Sequence, residues 1–440
     1  MFSTSRARAL CCAVLFLLGV VRWWPDLPPE ARFPSHPETV RLARSWASTG
    51  SLANPFHAGK TGPSAHAAPV YPVFMGTLLR IFGDGRSGLF ALAMSSAIFM
   101  AAQAALFPLA AVHLGVAFEA GVLAAIAWIL AKIRPFPEYE ASLAGLLVIL
   151  LTIVLARWAG SSGGRAISLL AGALFAFTAL TTSAAAIVVA VWFLTPLAAP
   201  LWRHRRLEIA LFALSASALL SPWLVRNFNL FGGLILMRGN FGLELAISNN
   251  ACAEVSLVEN LLSQCFQASH PNTSAGEAKR VVSLGEPGYS RQRTQEALAW
   301  ITANPLRFAS LTARRIVRFW IPSETGDPIG ETLLPAFTRE RLWVYGMTLM
   351  SIFGLMRLWR ACPPGALLCS LWLSLFPLVY YIVQFLERYR RPILWITFLL
   401  AGAEIWRLVQ QSRIGPPLTY VVPPQTENAP GTHQAPGAVN

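Results

Sequence analysis

Three short charged runs interrupt long apolar stretches of this chain, and their residue types suit work on a phosphate. Glu387-Arg388-Tyr389-Arg390-Arg391-Pro392 and Pro222-Trp223-Leu224-Val225-Arg226-Asn227 offer guanidinium groups, whose planar forks bind phosphate oxygens two at a time. Arg134-Pro135-Phe136-Pro137-Glu138-Tyr139-Glu140 adds two carboxylates two residues apart. Each run adjoins an apolar stretch, which sets it at the level of lipid headgroups; attachment to phospholipid would use the same arginines without chemistry. Proton abstraction needs a fixed carboxylate, and Glu38 is the first candidate. From His36 to Thr49, Val40, Ala43, Trp46 and Ala47 recur at helical spacing, with Arg41, Arg44 and Ser48 on another face. That pattern predicts an amphipathic helix lying in the membrane interface. Pro37 suits its first turn, and Glu38 then sits at the helix N-terminus, where the dipole favours a carboxylate. An ion pair with Arg41, three residues on, is the plainer reading of the same spacing. Asp26 and Glu30 are less ordered alternatives.

Further polar candidates follow. His66 and Tyr71 lie in Thr61-Gly62-Pro63-Ser64-Ala65-His66-Ala67-Ala68-Pro69-Val70-Tyr71-Pro72. With no metal-ligand spacing around it, His66 is a substrate-lining residue. Arg238, Asn240 and Glu244 cluster in Arg238-Gly239-Asn240-Phe241-Gly242-Leu243-Glu244-Leu245. The chain carries no phosphate-cradling glycine loop, Walker lysine, nucleophile elbow, His/Cys metal cluster or dinucleotide fingerprint.

The elements that must hold these residues are membrane helices. Of 440 residues, 55% are hydrophobic and 13% charged, against roughly 25% charged in a soluble domain. That composition excludes a disordered chain, and the net charge of +14, gathered beside apolar runs, fits topology signals and anionic lipid better than nucleic acid. The expected fold is all-α and polytopic, with about ten spans: Ala9 to Val21, Gly88 to Leu114, Ala117 to Ile133, Ala141 to Trp158, Ile167 to Thr182, Ala184 to Trp202, Ile209 to Leu224, Leu342 to Trp359, Ala366 to Phe385 and Ile393 to Leu408. Arg157 and Arg165, Arg203 to Arg206, Arg357 and Arg360, and Arg407 then share one side, the cytoplasmic one.

Residues 25 to 87 and 226 to 340 face outward. The chain accordingly divides into an N-terminal membrane module, 1–225, with its first outer loop; an outer segment, 226–340; C-terminal membrane helices, 341–410; and a disordered tail, 411–440, rich in Pro, Gln and Gly. Val73 to Phe82 and Arg291 to Trp320 read as further interfacial helices, the second with Arg307, Arg314, Arg315 and Arg318 toward headgroups. Of six cysteines, only Cys252 and Cys265 share a polar region. It lies on the outer side, where a disulfide persists, and they are expected to be bonded.

The order of these features resembles the GT-C superfamily of polytopic glycosyltransferases that use polyprenyl-phosphate sugars, in particular the bacterial relatives of protein O-mannosyltransferases and aminoarabinose transferases. Four stretches carry the resemblance: Glu38 to Arg44 after the first span, Thr61 to Pro72, Pro222 to Asn227 with Asn240 to Glu244, and Arg388 to Pro392. It implies that Glu38 is a catalytic base, and that Glu140 or Glu138 in the second outer loop lines the same cavity. Arg226, Arg388, Arg390 and Arg391 would then bind the lipid phosphate. The donor would be a polyprenyl-phosphate-linked sugar, the acceptor a lipid, glycan or protein, and the location a bacterial inner membrane with the site facing the periplasm. The chain departs from the family by having His66-Ala67-Ala68-Pro69 where aminoarabinose transferases carry Lys-Pro-Pro, and by lacking the mannosyltransferases' Asp-Glu pair. Those departures leave the acceptor and a divalent metal open. A transporter or flippase for a lipid-linked saccharide is the alternative, although transporters usually set their ligands near the midplane.

Overall fold

The computed structural model describes residues 4–33, 37–131, 133, 135–160, 164–196, 198–321 and 339–412. Among them the chain is helical, with no β-structure beyond two isolated bridges, Ala53 to Pro63 and Ser256 to Phe385. The order is α1 (Ser5–Arg22), α2 (Glu38–Thr49), α3 (Val70–Phe82), α4 (Arg86–His113), α5 (Phe118–Leu130), α6 (Ala141–Gly160), α7 (Arg165–Ala179), α8 (Ala185–Phe193), α9 (Ala199–His204) and α10 (Arg206–Phe231). There follow α11 (Phe241–Ser248), α12 (Leu257–Leu262), α13 (Cys265–Ser269), α14 (Ala275–Ala303), α15 (Pro305–Trp320), α16 (Arg339–Ala361), α17 (Pro363–Leu375), α18 (Leu378–Tyr381), a 3-10 turn (Glu387–Arg390) and α19 (Arg391–Ser412). Of the expected tail, 411–440, Gln411 and Ser412 end α19 as helix, while residues 413–440 lie outside the described residues, as do Arg134 and residues 322–338.

The protein is a multi-pass membrane protein. Among the described residues, six stretches are long and apolar enough to cross a membrane: Arg86–His113, Ala141–Ala159, Arg206–Phe231, Leu342–Ala361, Pro363–Tyr381 and Glu387–Ser412. The other four of the ten expected spans fall on helices that are shorter or more charged than these. α5 has 13 residues and α7 has 15, shorter at about 1.5 Å per residue than a core about 30 Å thick, although the bonds from Tyr71 to the Pro137 carbonyl and from Val70 to the Leu180 carbonyl bring the chain beyond each of them back beside α3. α8 is shorter still at nine residues, and α1 includes Arg6, Arg8 and Arg22.

α19 is the central helix, with every residue from Pro392 to Glu404 buried, packed on α5, α6 and α16. α10 is peripheral: it pairs with α7 and exposes Leu214, Val225 and Phe228. Small residues let backbones approach in the bilayer. A side chain at Gly354 would strike the Leu400 carbonyl of α19, and one at Gly172 would strike the Phe212 carbonyl of α10.

Within residues 25 to 87 and 226 to 340 two expectations are corrected. Val40 and Ala43 of α2 are fully buried, but against Tyr71, Met75 and Leu79 of α3 and against Phe33 and Leu92. Two apolar helix faces at the same level cover each other, so the face assigned to the interface is internal. The stretch from Arg291 to Trp320 is likewise two helices, parted at Asn304-Pro305, and its arginines mostly serve the protein. Arg315 is fully buried and donates to the carbonyls of Ser248, Glu254 and Ile382 and to Asn249 Oδ1. Arg318 pairs with Glu259 at 3.2 Å, and Arg307 donates to the Ala253 carbonyl at 3.2 Å. Arg314 stays exposed. Cys252 and Cys265 form a disulfide, Cα atoms 5.6 Å apart.

Candidate functional site

Glu38 opens α2 behind Pro37, whose carbonyl receives the N–H groups of Val40 and Arg41. Its side chain is 22% exposed, and Oε1 faces His270 Nε2 at 3.9 Å. His270 follows α13, with its own N–H on the Phe266 carbonyl. Its ring lies flat on Phe266, centroids 4.4 Å apart, and edge-on to Phe56 at 5.9 Å. The Asn272 N–H donates to His270 Nδ1 at 3.0 Å. That bond assigns the ring proton to Nε2, the nitrogen facing Glu38. Burial, with the charge of Arg293 behind it, holds the His270 pKa down to about 3. The approach to Glu38 is thus that of a neutral donor to a carboxylate, too long for a direct hydrogen bond, rather than an ion pair.

A polar path leads away from this pair. His66 is buried, edge-on to Phe56 at 5.1 Å, and within electrostatic range of both His270 and Arg238; burial pushes its pKa well below the usual value. Arg238 Nε donates to Asn240 Oδ1 at 2.6 Å, and Asn240 Nδ2 to Glu244 Oε1 at 3.1 Å. Burial raises the Glu244 pKa, opposed by Arg238 and Arg388. Arg388 lies over the Tyr139 ring at 3.5 Å, which fixes its plane. Tyr71 OH donates to the Pro137 carbonyl at 2.7 Å, so α3 steadies the run holding Glu138 and Glu140, and both acids act electrostatically on Tyr71. Hydrogen bonds, ring contacts and longer-range electrostatic interactions thus link Glu38, His66, Tyr71, Glu138, Glu140, Arg238, Asn240, Glu244 and Arg388.

Three arginines expected on the lipid phosphate are engaged elsewhere. Arg390 is 3% exposed, donating to the Trp320 carbonyl at 2.8 Å and Thr348 Oγ1 at 2.6 Å. Arg226 stacks on Trp223 at 4.8 Å and donates to the Leu52 carbonyl and Asn227 Oδ1. Arg391 pairs with Glu387 at 3.0 Å and lies over the Phe136 ring at 5.0 Å.

Sequence reasoning missed two residues. His270 has no local pattern beyond the breaker His270-Pro271-Asn272. Glu286 stands between Gly285 and Pro287, where α14 is broken by a positive φ of 67° that only glycine takes easily. Its Oε1 accepts the Ala65 N–H at 2.8 Å, and the Gly239 N–H donates to the Ala65 carbonyl at 2.7 Å. Glu286 thus holds the strand of loop that carries His66. Burial raises its pKa to about 7, against the opposing bonds to Ser64 and Ala65 and the charge of Arg226. The Gly-Glu-Pro break was the signal. Among the described residues no group of three or more His, Cys, Asp or Glu side chains could hold a metal ion; Glu38 and His270 are two donors only.

No known family matches the sequence, and no curated protein does. Solved structures match the fold. The oligosaccharyltransferase of Archaeoglobus fulgidus, tethered to an acceptor peptide containing an NVT sequon, superposes with a TM-score of 0.56 at 14% identity, covering 93% of this chain and 50% of that one. The same organism's oligosaccharyltransferase with an inhibitory peptide and a dolichol-phosphate gives 0.51 at 14% identity, covering 94% and 52%. A third structure, with zinc and sulfate, gives 0.55 at 14% identity, covering 92% and 49%. The chain spans about half the length of these proteins, and what it shares with them is the fold.

Proposed function

We propose that the protein is a GT-C-type glycosyltransferase that moves a sugar, with inversion, from a polyprenyl-phosphate donor to an acceptor at the outer face of a bacterial inner membrane, with Glu38 as general base. The observation that carries this reading is the placement of Glu38: a partly exposed carboxylate, held at a helix N-terminus, at one end of a polar region whose other end holds Arg238 and Arg388. The fold shared with a protein solved with dolichol-phosphate adds support.

In this scheme Glu38 takes the acceptor's proton as the acceptor attacks the anomeric carbon from the side opposite the phosphate. The bond from sugar to phosphate breaks, and negative charge develops on the departing lipid phosphate. Arg238 and Arg388 oppose that charge more strongly in the transition state than in the ground state, which lowers the barrier. Glu140 and Glu138 line the acceptor side. Arg390 and Arg226, whose donors serve protein carbonyls and side chains, act by shaping the loops, as does Arg391 through Glu387. A flippase would need no base. A membrane assay with radiolabelled polyprenyl-phosphate sugars tests the reading: covalent transfer supports it, while translocation of intact donor without transfer would overturn it.

A further inference from the structure

Glu38 Oε1 and His270 Nε2 stand 3.9 Å apart, a separation at which one small group can touch both at ordinary hydrogen-bond distances. The two prongs differ in kind. Glu38 can only accept a hydrogen bond when ionised, and His270 offers an N–H there because the Asn272 N–H occupies Nδ1. The imidazole cannot turn over easily to exchange these roles: Phe266 covers its face and Phe56 meets it edge-on. The disulfide fixes the start of the short helix that leads into it, since Cys265 is the first residue of α13 and His270 follows its last. Of the charged groups around it, Arg293 opposes protonation and Glu38 would favour it; burial decides, and the ring is neutral.

We propose that Glu38 and His270 form a two-point clamp on the attacking group, and that the clamp selects a hydroxyl as acceptor. The inference rests on Glu38 being the base. A hydroxyl gives its proton to Glu38, accepts the His270 N–H with one lone pair, and attacks the anomeric carbon with the other. A neutral amine has a single lone pair, and binding it to His270 removes the electrons needed for attack. A carboxamide could accept at its oxygen, but a hydrogen bond there strengthens amide resonance and draws density from the nitrogen. A carboxylate or phosphate dianion brings no proton and is repelled by Glu38. The step balances: the oxygen–carbon bond forms, the carbon–oxygen bond to the lipid phosphate breaks, the proton ends on Glu38 and the electron pair on the phosphate.

The test uses full-length protein in lipid nanodiscs with a radiolabelled polyprenyl-phosphate hexose as donor, and trifluoroethanol or trifluoroethylamine as acceptor probe, the second being uncharged at neutral pH. The wild type is expected to favour the alcohol. His270→Phe keeps a flat ring on Phe266 and loses the donor; it should lower transfer to the alcohol about tenfold, the loss of roughly one hydrogen bond, while transfer to the amine, its lone pair now released, does not fall. His270→Gln, which keeps an N–H donor, should restore part of the preference. An alcohol-to-amine ratio that is the same in wild type and His270→Phe would overturn the clamp. NMR of isotope-labelled histidine in the wild type decides independently of turnover and of how the variants fold. The His270 proton should sit on Nε2, and its signal should respond to trifluoroethanol. A proton on Nδ1 or no response to the alcohol overturns the proposal. Near-normal transfer by Glu38→Gln would instead sink the base, leaving the NMR result to judge the clamp by itself.

Discussion

Arg388 and Arg390 lie two residues apart and are expected to fail in opposite ways. The guanidinium of Arg390 makes bonds of 2.8 Å to the Trp320 carbonyl and 2.6 Å to Thr348 Oγ1, and lies 5.2 Å from the Trp320 ring. Hydrogen bonds from a charged group contribute about 1.5–3 kcal/mol each, so the pair supplies on the order of 3–6 kcal/mol. Arg390→Met also removes the cost of burying a cation whose Nε has no partner. Thr348 loses little, because its hydroxyl still donates to the Val344 carbonyl at 2.7 Å. The unpaired Trp320 carbonyl and the lost ring contact remain, and the net destabilisation comes to about 2–4 kcal/mol. Arg390→Met should therefore unfold at a clearly lower temperature in detergent, while the folded fraction keeps its affinity for polyprenyl phosphate. Arg388→Met, at a half-buried position stacked on Tyr139, forfeits about 1 kcal/mol of cation–π contact together with its electrostatic link to Glu244, and should weaken binding of the lipid phosphate at least about tenfold, one charge-assisted contact. Thermal unfolding and direct binding measured on both proteins decide the matter. An Arg390→Met protein with an unchanged midpoint and weakened lipid binding would refute the assignment.

Glu38→Gln keeps size and reach but removes basicity, and should lower transfer by about 10²–10⁴ with donor binding intact, read by turnover and donor affinity separately. Replacing Cys252 and Cys265 together by serine reopens a short loop and should cost about 3 kcal/mol, measured by unfolding under non-reducing conditions against the wild type. The folded Glu286 carboxyl is pushed up to about 7 from an ordinary value of 4.5, so the folded state holds its proton more tightly. Its contribution to stability is complete below about 4.5 and is lost as pH rises through about 7; Glu286→Gln should flatten that fall, and unfolding curves across this range that match the wild type would count against it. Ser51→Cys, in the first outer loop, should react with an impermeant thiol reagent in intact cells, and Ser412→Cys only after permeabilisation; the reverse pattern would invert the topology.

Composition alone made this a membrane protein, because helices hold every backbone polar group internally and their side chains must then match the lipid. The apolar runs that became α4, α6, α10 and α19 were legible for that reason, as were the start of α2 at Glu38 and the pairing of two cysteines that share one polar region. What covers an apolar helix face was not legible. Val40 and Ala43 have the spacing that suits lipid and protein equally, and only the arrival of Tyr71 and Met75 from α3 makes them core. The arginines show the same limit. A 3-10 turn of three residues per turn sends Arg390 inward to Trp320 and Thr348 while Arg388 lies across Tyr139, although both read from sequence as headgroup-level cations. His270 and Glu286 were decided by tertiary structure entirely. Each acts through a partner far away in the chain, Glu38 in one case and Ala65 in the other. Periodicity records the few neighbours within a turn or two, whereas burial, tautomer and pKa depend on atoms that only packing brings near.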